Sequence, residues 1–162
     1  MIWFFVGLIF IIFCFSFVML FGAPYLPTLS PQIEAAFKLL DLKKNNTILE
    51  LGSGDGKVLI AAAKQGYNAI GFELNPILFL LSYVRTMRYR KKVKLHLGNF
   101  WRVALPEADG IFVFLIDKKM ETLDKKLKLY KYKPLKVASF AFKIPNKKII
   151  KTLKGVNLYE YR

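Results

Sequence analysis

Residues 48–60 read ILELGSGDGKVLI, and Gly52, Gly54 and Gly56 fall at alternate positions just after an apolar run that carries Glu50. Glycine has no Cβ, so this spacing lets the backbone turn tightly and lets a ligand approach it closely. Ser53 sits inside the turn, and the helix expected after it opens with free N–H groups. Glu73 lies 21 residues beyond Gly52, with Leu74 and Asn75 beside it. A carboxylate there accepts both hydroxyls of a ribose. Further on, Gly98-Asn99-Phe100 offers a polar side chain for an adenine edge and an apolar neighbour for the ring. The pattern points to a nucleoside-bearing cofactor.

Alternating elements must hold these residues. The pattern predicts strands over 47–51, 69–74, 93–97, 110–116 and 137–142. GIFVFLI at 110–116 is continuously apolar, as a central parallel strand buried on both faces should be. Helices are expected over 57–65, stopped by Gly66, from Pro76 to about Arg88 with Asn75 as cap, and over 118–130. A further helix begins at Ser30, read as the cap, with Pro31 at its first position. In it Ile33, Ala36, Phe37 and Leu40 follow the spacing of one buried face. The last residues are expected to form a hairpin at the sheet edge. Strand–helix alternation implies a mostly parallel, Rossmann-like α/β sheet with helices on both faces. Ligands bind such sheets at the carboxyl ends of the strands.

A separate segment precedes this domain. Ile2 to Ala23 carries no charged side chain, and about 20 apolar helical residues cross a bilayer. No Lys or Arg stands before the run, which argues against a secretory signal. The expectation is one transmembrane anchor (2–23), a proline-rich lid and leading helix (24–46), and the catalytic domain (47–162). All 26 Lys and Arg lie after the anchor, which predicts a cytoplasmic domain on a single-pass cell (inner) membrane protein. The net charge of +15 comes mostly from lysine. Lys outnumbers Arg 21 to 5, with Phe, Ile, Tyr and Asn plentiful. An AT-rich genome produces that bias, and a basic face also suits anionic headgroups. A nucleic-acid partner is not expected. Cys14, the one cysteine, lies in the anchor, and His96 is the one histidine. A disulfide framework, a thiol nucleophile and a metal site are therefore not expected in the domain.

The choice of cofactor follows from what the turn lacks. It has no G-x-x-x-x-G-K-[ST] phosphate loop, and Lys57 stands where a dinucleotide fingerprint needs glycine. The E-x-G-x-G-x-G spacing resembles motif I of the class I S-adenosylmethionine-dependent methyltransferases. PYLPT, LELGSGDGKVLIAAAKQGYNAIGFELNP and FAFKIP together resemble the membrane-anchored protein-lysine methyltransferases of the ATP synthase c-subunit and adenine nucleotide translocase type. Glu50 replaces that family's usual Asp, and Asn99 replaces another. No Arg-rich leader is present, so the likeness is to a small prokaryotic relative.

This resemblance implies S-adenosyl-L-methionine as cofactor, a membrane bilayer beside the enzyme and a lysine of a membrane protein as acceptor. Glu73 then matches the ribose acid, and Thr28 is a lid contact. Methyl transfer is an in-line displacement that rests on positioning, and the lysine must lose its proton. Asp117, at the end of the fourth strand, and Tyr25, in the proline stretch, are the candidates to take it. Cytosine C5 methylation would need a cysteine. Base amino-methylation generally uses a [DNS]-P-P-[YFW] motif where this chain has Ile116-Asp117-Lys118-Lys119. A lipid or quinone methyltransferase, or a tethered scaffold without turnover, remains the alternative.

Overall fold

The structure, a computed structural model, describes residues 1–21, 26–132 and 134–162, with several side chains between 11 and 21 outside the description. A helix, α1 (Ile2–Phe21), precedes α2 (Ser30–Leu40). Then follow β1 (Thr47–Leu51), α3 (Lys57–Lys64), β2 (Asn68–Glu73), α4 (Pro76–Thr86), β3 (Val93–Leu97), β4 (Gly110–Val113), α5 (Met120–Lys128), β5 (Leu135–Phe140), β6 (Lys151–Leu153) and β7 (Val156–Tyr161).

The seven strands form one sheet in the order β3-β2-β1-β4-β5-β7-β6. The first five are parallel; β7 runs antiparallel to β5, and β6 antiparallel to β7. Order reverses beside β1, so loops leaving β1 and β4 diverge and open a crevice at their carboxyl ends. Side chains of β1 divide between the faces. Ile48 packs with α2 and α3, among Ala36, Leu40, Leu59 and Ala62. Leu49 and Leu51 pack on the other face with Met120, Leu123 and Leu127 of α5. Each such fully buried side chain contributes about 1.5–3 kcal/mol.

Local signals explain most boundaries. Asn75 caps α4, its Oδ1 accepting from Ile77 N at 2.9 Å, and Pro76 follows. Gly66, at φ +90°, ends the turn after α3, and its N–H donates to Ala63 O at 3.1 Å. Three expectations need correction. The cap of α2 is Leu29, with no side-chain bond; Ser30 is already helical. The central strand β4 stops at Val113, and Asp117–Lys119 form a 3₁₀ turn before α5 rather than its first α-turn. Continuous apolarity over 110–116 records burial, which extends past the ladder into the cleft wall.

The C-terminal hairpin lies at the sheet edge, as its sequence implied. Its Tyr161 hydroxyl donates to Asp124 Oδ1 at 2.8 Å, and Lys128 pairs with the same carboxylate at 2.6 Å. Burial alone would raise the Asp124 pKa, but these bonds outweigh it and hold it low. Among the described residues no helix is long and apolar enough to cross a membrane. The anchor expected over 2–23 therefore gains no support from the fold, although α1 is helical throughout.

Candidate active site

A cleft with about 920 Å³ of space, open to solvent, lies at the carboxyl ends of β1, β2 and β4. Its floor is the glycine turn. Gly52 N and Ser53 N both donate to Phe72 O, at 3.0 and 2.9 Å, which fixes the turn to the end of β2. Gly52, Gly54 and Gly56 take φ values of +90°, +52° and +77°. Gly56 is also a close approach: a Cβ there would lie 2.3 Å from Ser82 Oγ of α4. The turn and α4 can sit this near only without a side chain at 56.

Glu73 is gripped from two sides. Its Oε2 accepts Gly54 N at 2.7 Å and its Oε1 accepts Asn75 N at 2.8 Å. Burial raises its pKa, and the bonds from Asn75, Gly54 and Leu74 only partly offset that. The carboxylate's remaining acceptor capacity is left for a ligand. Glu50, at 5% exposure, has no partner for Oε2 among the described residues. Burial first, then the charges of Glu73 and Asp55, push its pKa well above the ordinary glutamate value. Burial of this kind disfavours the charged carboxylate. Asp55 is occupied elsewhere, paired with Arg85 of α4.

Most expected residues meet here. Glu50, Gly52, Ser53, Gly54, Glu73, Leu74, Asn99, Phe100 and Thr28 all line the cleft. Thr28 comes with Leu26 and Pro27, so part of the proline stretch walls the cleft. Gly56 and Asn75 shape it from behind. Asn99, whose side chain was expected at an adenine edge, accepts Trp101 N through Oδ1 at 2.9 Å and caps a 3₁₀ turn. Asp117 is exposed and lies outside the lining; Phe114, Leu115 and Lys119 form that wall. Tyr25 lies outside the described residues. His96 stacks on Phe72 with ring centroids 5.0 Å apart.

Sequence reading passed over Phe72, Trp101 and Lys119. Phe72 precedes Glu73, and Trp101 packs its ring 4.4 Å from Phe100. Phe72 could have been found by treating the last residues of β2 as cleft wall, and Trp101 by treating the turn after β3 in the same way. Among the described residues no three His, Cys, Asp or Glu side chains gather as a metal site requires.

This geometry agrees with comparison to known proteins. Residues 50–151 match the family model described as the ANTKMT methyltransferase domain. The chain belongs to this family. A relative from Xenopus laevis, the lysine N-methyltransferase of the ATP synthase c-subunit, is 32% identical over 127 residues, covering 76% of this chain and 55% of its own. A protein-lysine N-methyltransferase from Saccharolobus islandicus is 29% identical over 140 residues, covering 82% and 86%. The chain spans about half the length of the animal relatives it matches. An RNA methyltransferase from Salinibacter ruber, solved with S-adenosyl-L-homocysteine, superposes with a TM-score of 0.76 at 23% identity, over 84% of this chain and 92% of its own. That likeness shows the fold.

Proposed function

We propose that this member of the family is an S-adenosylmethionine-dependent protein-lysine methyltransferase that α1 tethers to the cytosolic face of a membrane. The observation that carries the reading is the pairing of Glu73 with the glycine turn. Both carboxylate oxygens are fixed by backbone N–H groups at the lip of the cleft, beside the floor that a nucleoside would cross.

The residues present fit the cofactor. Glu50 Oε2, Ser53 Oγ and Asn75 Nδ2 are buried polar atoms with no protein partner among the described residues. Buried polar groups are normally satisfied, so their gathering around one turn supports a polar ligand. Glu73 is suited to ribose hydroxyls, and Phe100 and Trp101 offer apolar surface to a purine. Methionine-derived groups would lie against the Gly52–Gly54 backbone. S-adenosylmethionine, when bound, supplies an electrophilic methyl group on sulfur.

The chain's own part is positioning and desolvation. Thr28, Leu26 and Pro27 wall one side of the cleft, and Phe114 and Leu115 the other. Apolar walls disfavour an ammonium and lower the pKa of an entering lysine, which favours the neutral amine that can attack. Holding that amine in line accounts for most of the rate gain. Tyr25 is our candidate to receive the amine proton, because it directly precedes cleft-wall residue Leu26 in the chain.

Membrane attachment rests on the sequence of α1, a 20-residue apolar helix with no Asp, Glu, Lys or Arg. Tethering raises the effective concentration of membrane-protein acceptors, so a short domain needs little recognition surface. The names of the relatives support lysine over lipid. Incubating the purified protein with tritiated S-adenosylmethionine and native membranes tests this: label is expected in a protein band. Label confined to the lipid extract would overturn it.

A further inference from the structure

The helix α4 is amphipathic in the wrong sense for a water-covered surface. Its buried residues are Leu78, Ser82 and Thr86, two of them hydroxylic. Its outer residues Leu80, Leu81, Tyr83, Val84 and Met87 are exposed by 61%, 45%, 52%, 58% and 51%. Leu80, Tyr83, Val84 and Met87 follow i, i+3, i+4, i+7 spacing, a continuous apolar stripe. The inner face explains the inversion. Small Ser82 and Thr86 let α4 close on Gly56, where a Cβ would lie 2.3 Å from Ser82 Oγ. Nothing inside the domain requires the outer stripe to be apolar.

Charge identifies what covers it. From Pro76 to Gly98 there is no Asp or Glu, while Arg85, Arg88, Arg90, Lys91, Lys92 and Lys94 fall within that span. Arg88, Arg90 and Lys91 are exposed in the segment just beyond α4. An apolar stripe rimmed by cations is the composition of a helix that lies in a bilayer interface beside anionic headgroups. A second copy would bring the same cations against these. The helix α1 also touches α4, so lipid around α1 would be within reach of this stripe.

We propose that α4 is a second membrane contact, seating Leu80, Tyr83, Val84 and Met87 in an anionic lipid surface. Leu78, on the inner face of the same helix, lines the cleft. Seating α4 therefore fixes the tilt of the cleft mouth relative to the bilayer, toward lysines close to the membrane plane. The inference extends the proposed membrane attachment, but its charge and burial arguments hold without α1.

The test uses the full chain with Cys14→Ser, carrying one nitroxide at Val84→Cys, Ile9→Cys or Leu129→Cys, in phosphatidylglycerol–phosphatidylcholine vesicles. Leu129, 83% exposed, reports the aqueous side. Accessibility to oxygen relative to a water-soluble nickel complex is expected to be several-fold higher at 84 than at 129, and Arg88→Glu with Lys91→Glu should remove the difference. Lipid exposure at 9 with aqueous exposure at 84 would overturn the α4 contact and leave the anchor standing. Lipid exposure at 84 with aqueous exposure at 9 would do the reverse. Aqueous exposure at both overturns both. A label at 84 shielded from both reagents, with dipolar broadening between copies, would mean that protein covers the stripe and would also overturn it.

Discussion

Gly54 donates its amide hydrogen to Glu73 Oε2 across 2.7 Å, which ties the end of β2 to the loop that leaves β1. The same carboxylate holds Asn75 N, so one side chain fixes both edges of the cleft floor. Glu73→Ala removes two acceptors and leaves the buried Asn75 N–H and the part-buried Gly54 N–H unmet, a stability cost of about 1–3 kcal/mol. S-adenosylmethionine affinity should fall at least about tenfold, or about 1.4 kcal/mol, with the circular dichroism spectrum retained. Unchanged affinity would remove Glu73 from the site.

Glu50 should make stability depend on pH in an unusual direction. Its folded pKa is raised by burial first and by Glu73 and Asp55 next. The folded state therefore holds a proton that the unfolded state releases. Stability is greatest below the ordinary glutamate pKa and declines as pH rises toward the folded value. Glu50→Gln keeps a neutral side chain of the same shape. It should raise Tm at pH 8 and change it little at pH 4, by about 2–4 °C for each kcal/mol gained. Glu73 is shifted the same way, so part of the slope should persist. Equal Tm changes at both pH values would contradict the assignment.

Replacing Gly56 with Ala combines two penalties: φ of +77° and a 2.3 Å approach to Ser82 Oγ. The left-handed backbone alone costs roughly 1–2 kcal/mol for an L-residue. Adding Ser82→Ala should recover only the Oγ clash, because Thr86 Cγ2 at 3.1 Å, Ser82 Cβ at 3.3 Å and the backbone strain stay. Chemical denaturation of the single and double variants isolates the Oγ clash from the rest. Full recovery in the double variant would show that φ is unimportant here.

The two candidates for the proton step separate by position. Asp117 is exposed and outside the cleft lining, so Asp117→Asn should leave kcat within about twofold, as surface changes usually do. Tyr25→Phe should lower kcat by about 10²–10⁴ if the phenol acts as general base. A loss confined to Asp117→Asn would reverse the assignment.

Parallel order, the glycine turn, the Asn75 cap and the edge hairpin were legible because each has a local cause: apolar runs, positive-φ positions, a side chain in reach of free N–H groups. Strand ends were less legible. Phe114 and Leu115 are apolar like β4, but they wall a cleft, and composition does not distinguish a ladder from a wall. Asn99 lines the cleft, but the bond that its carbonyl accepts from Trp101 N was not legible, because it depends on the short turn that follows. The outer stripe of α4 escaped notice because hydrophobic spacing marks a helix face without saying whether protein or lipid covers it.

Titration calorimetry of the detergent-solubilised full chain with S-adenosylmethionine, against NADH as control, tests the central claim most directly. The account predicts saturable binding of the sulfonium cofactor, none of NADH, and loss of binding in Glu73→Ala. A folded protein that binds neither, or binds NADH instead, would contradict it.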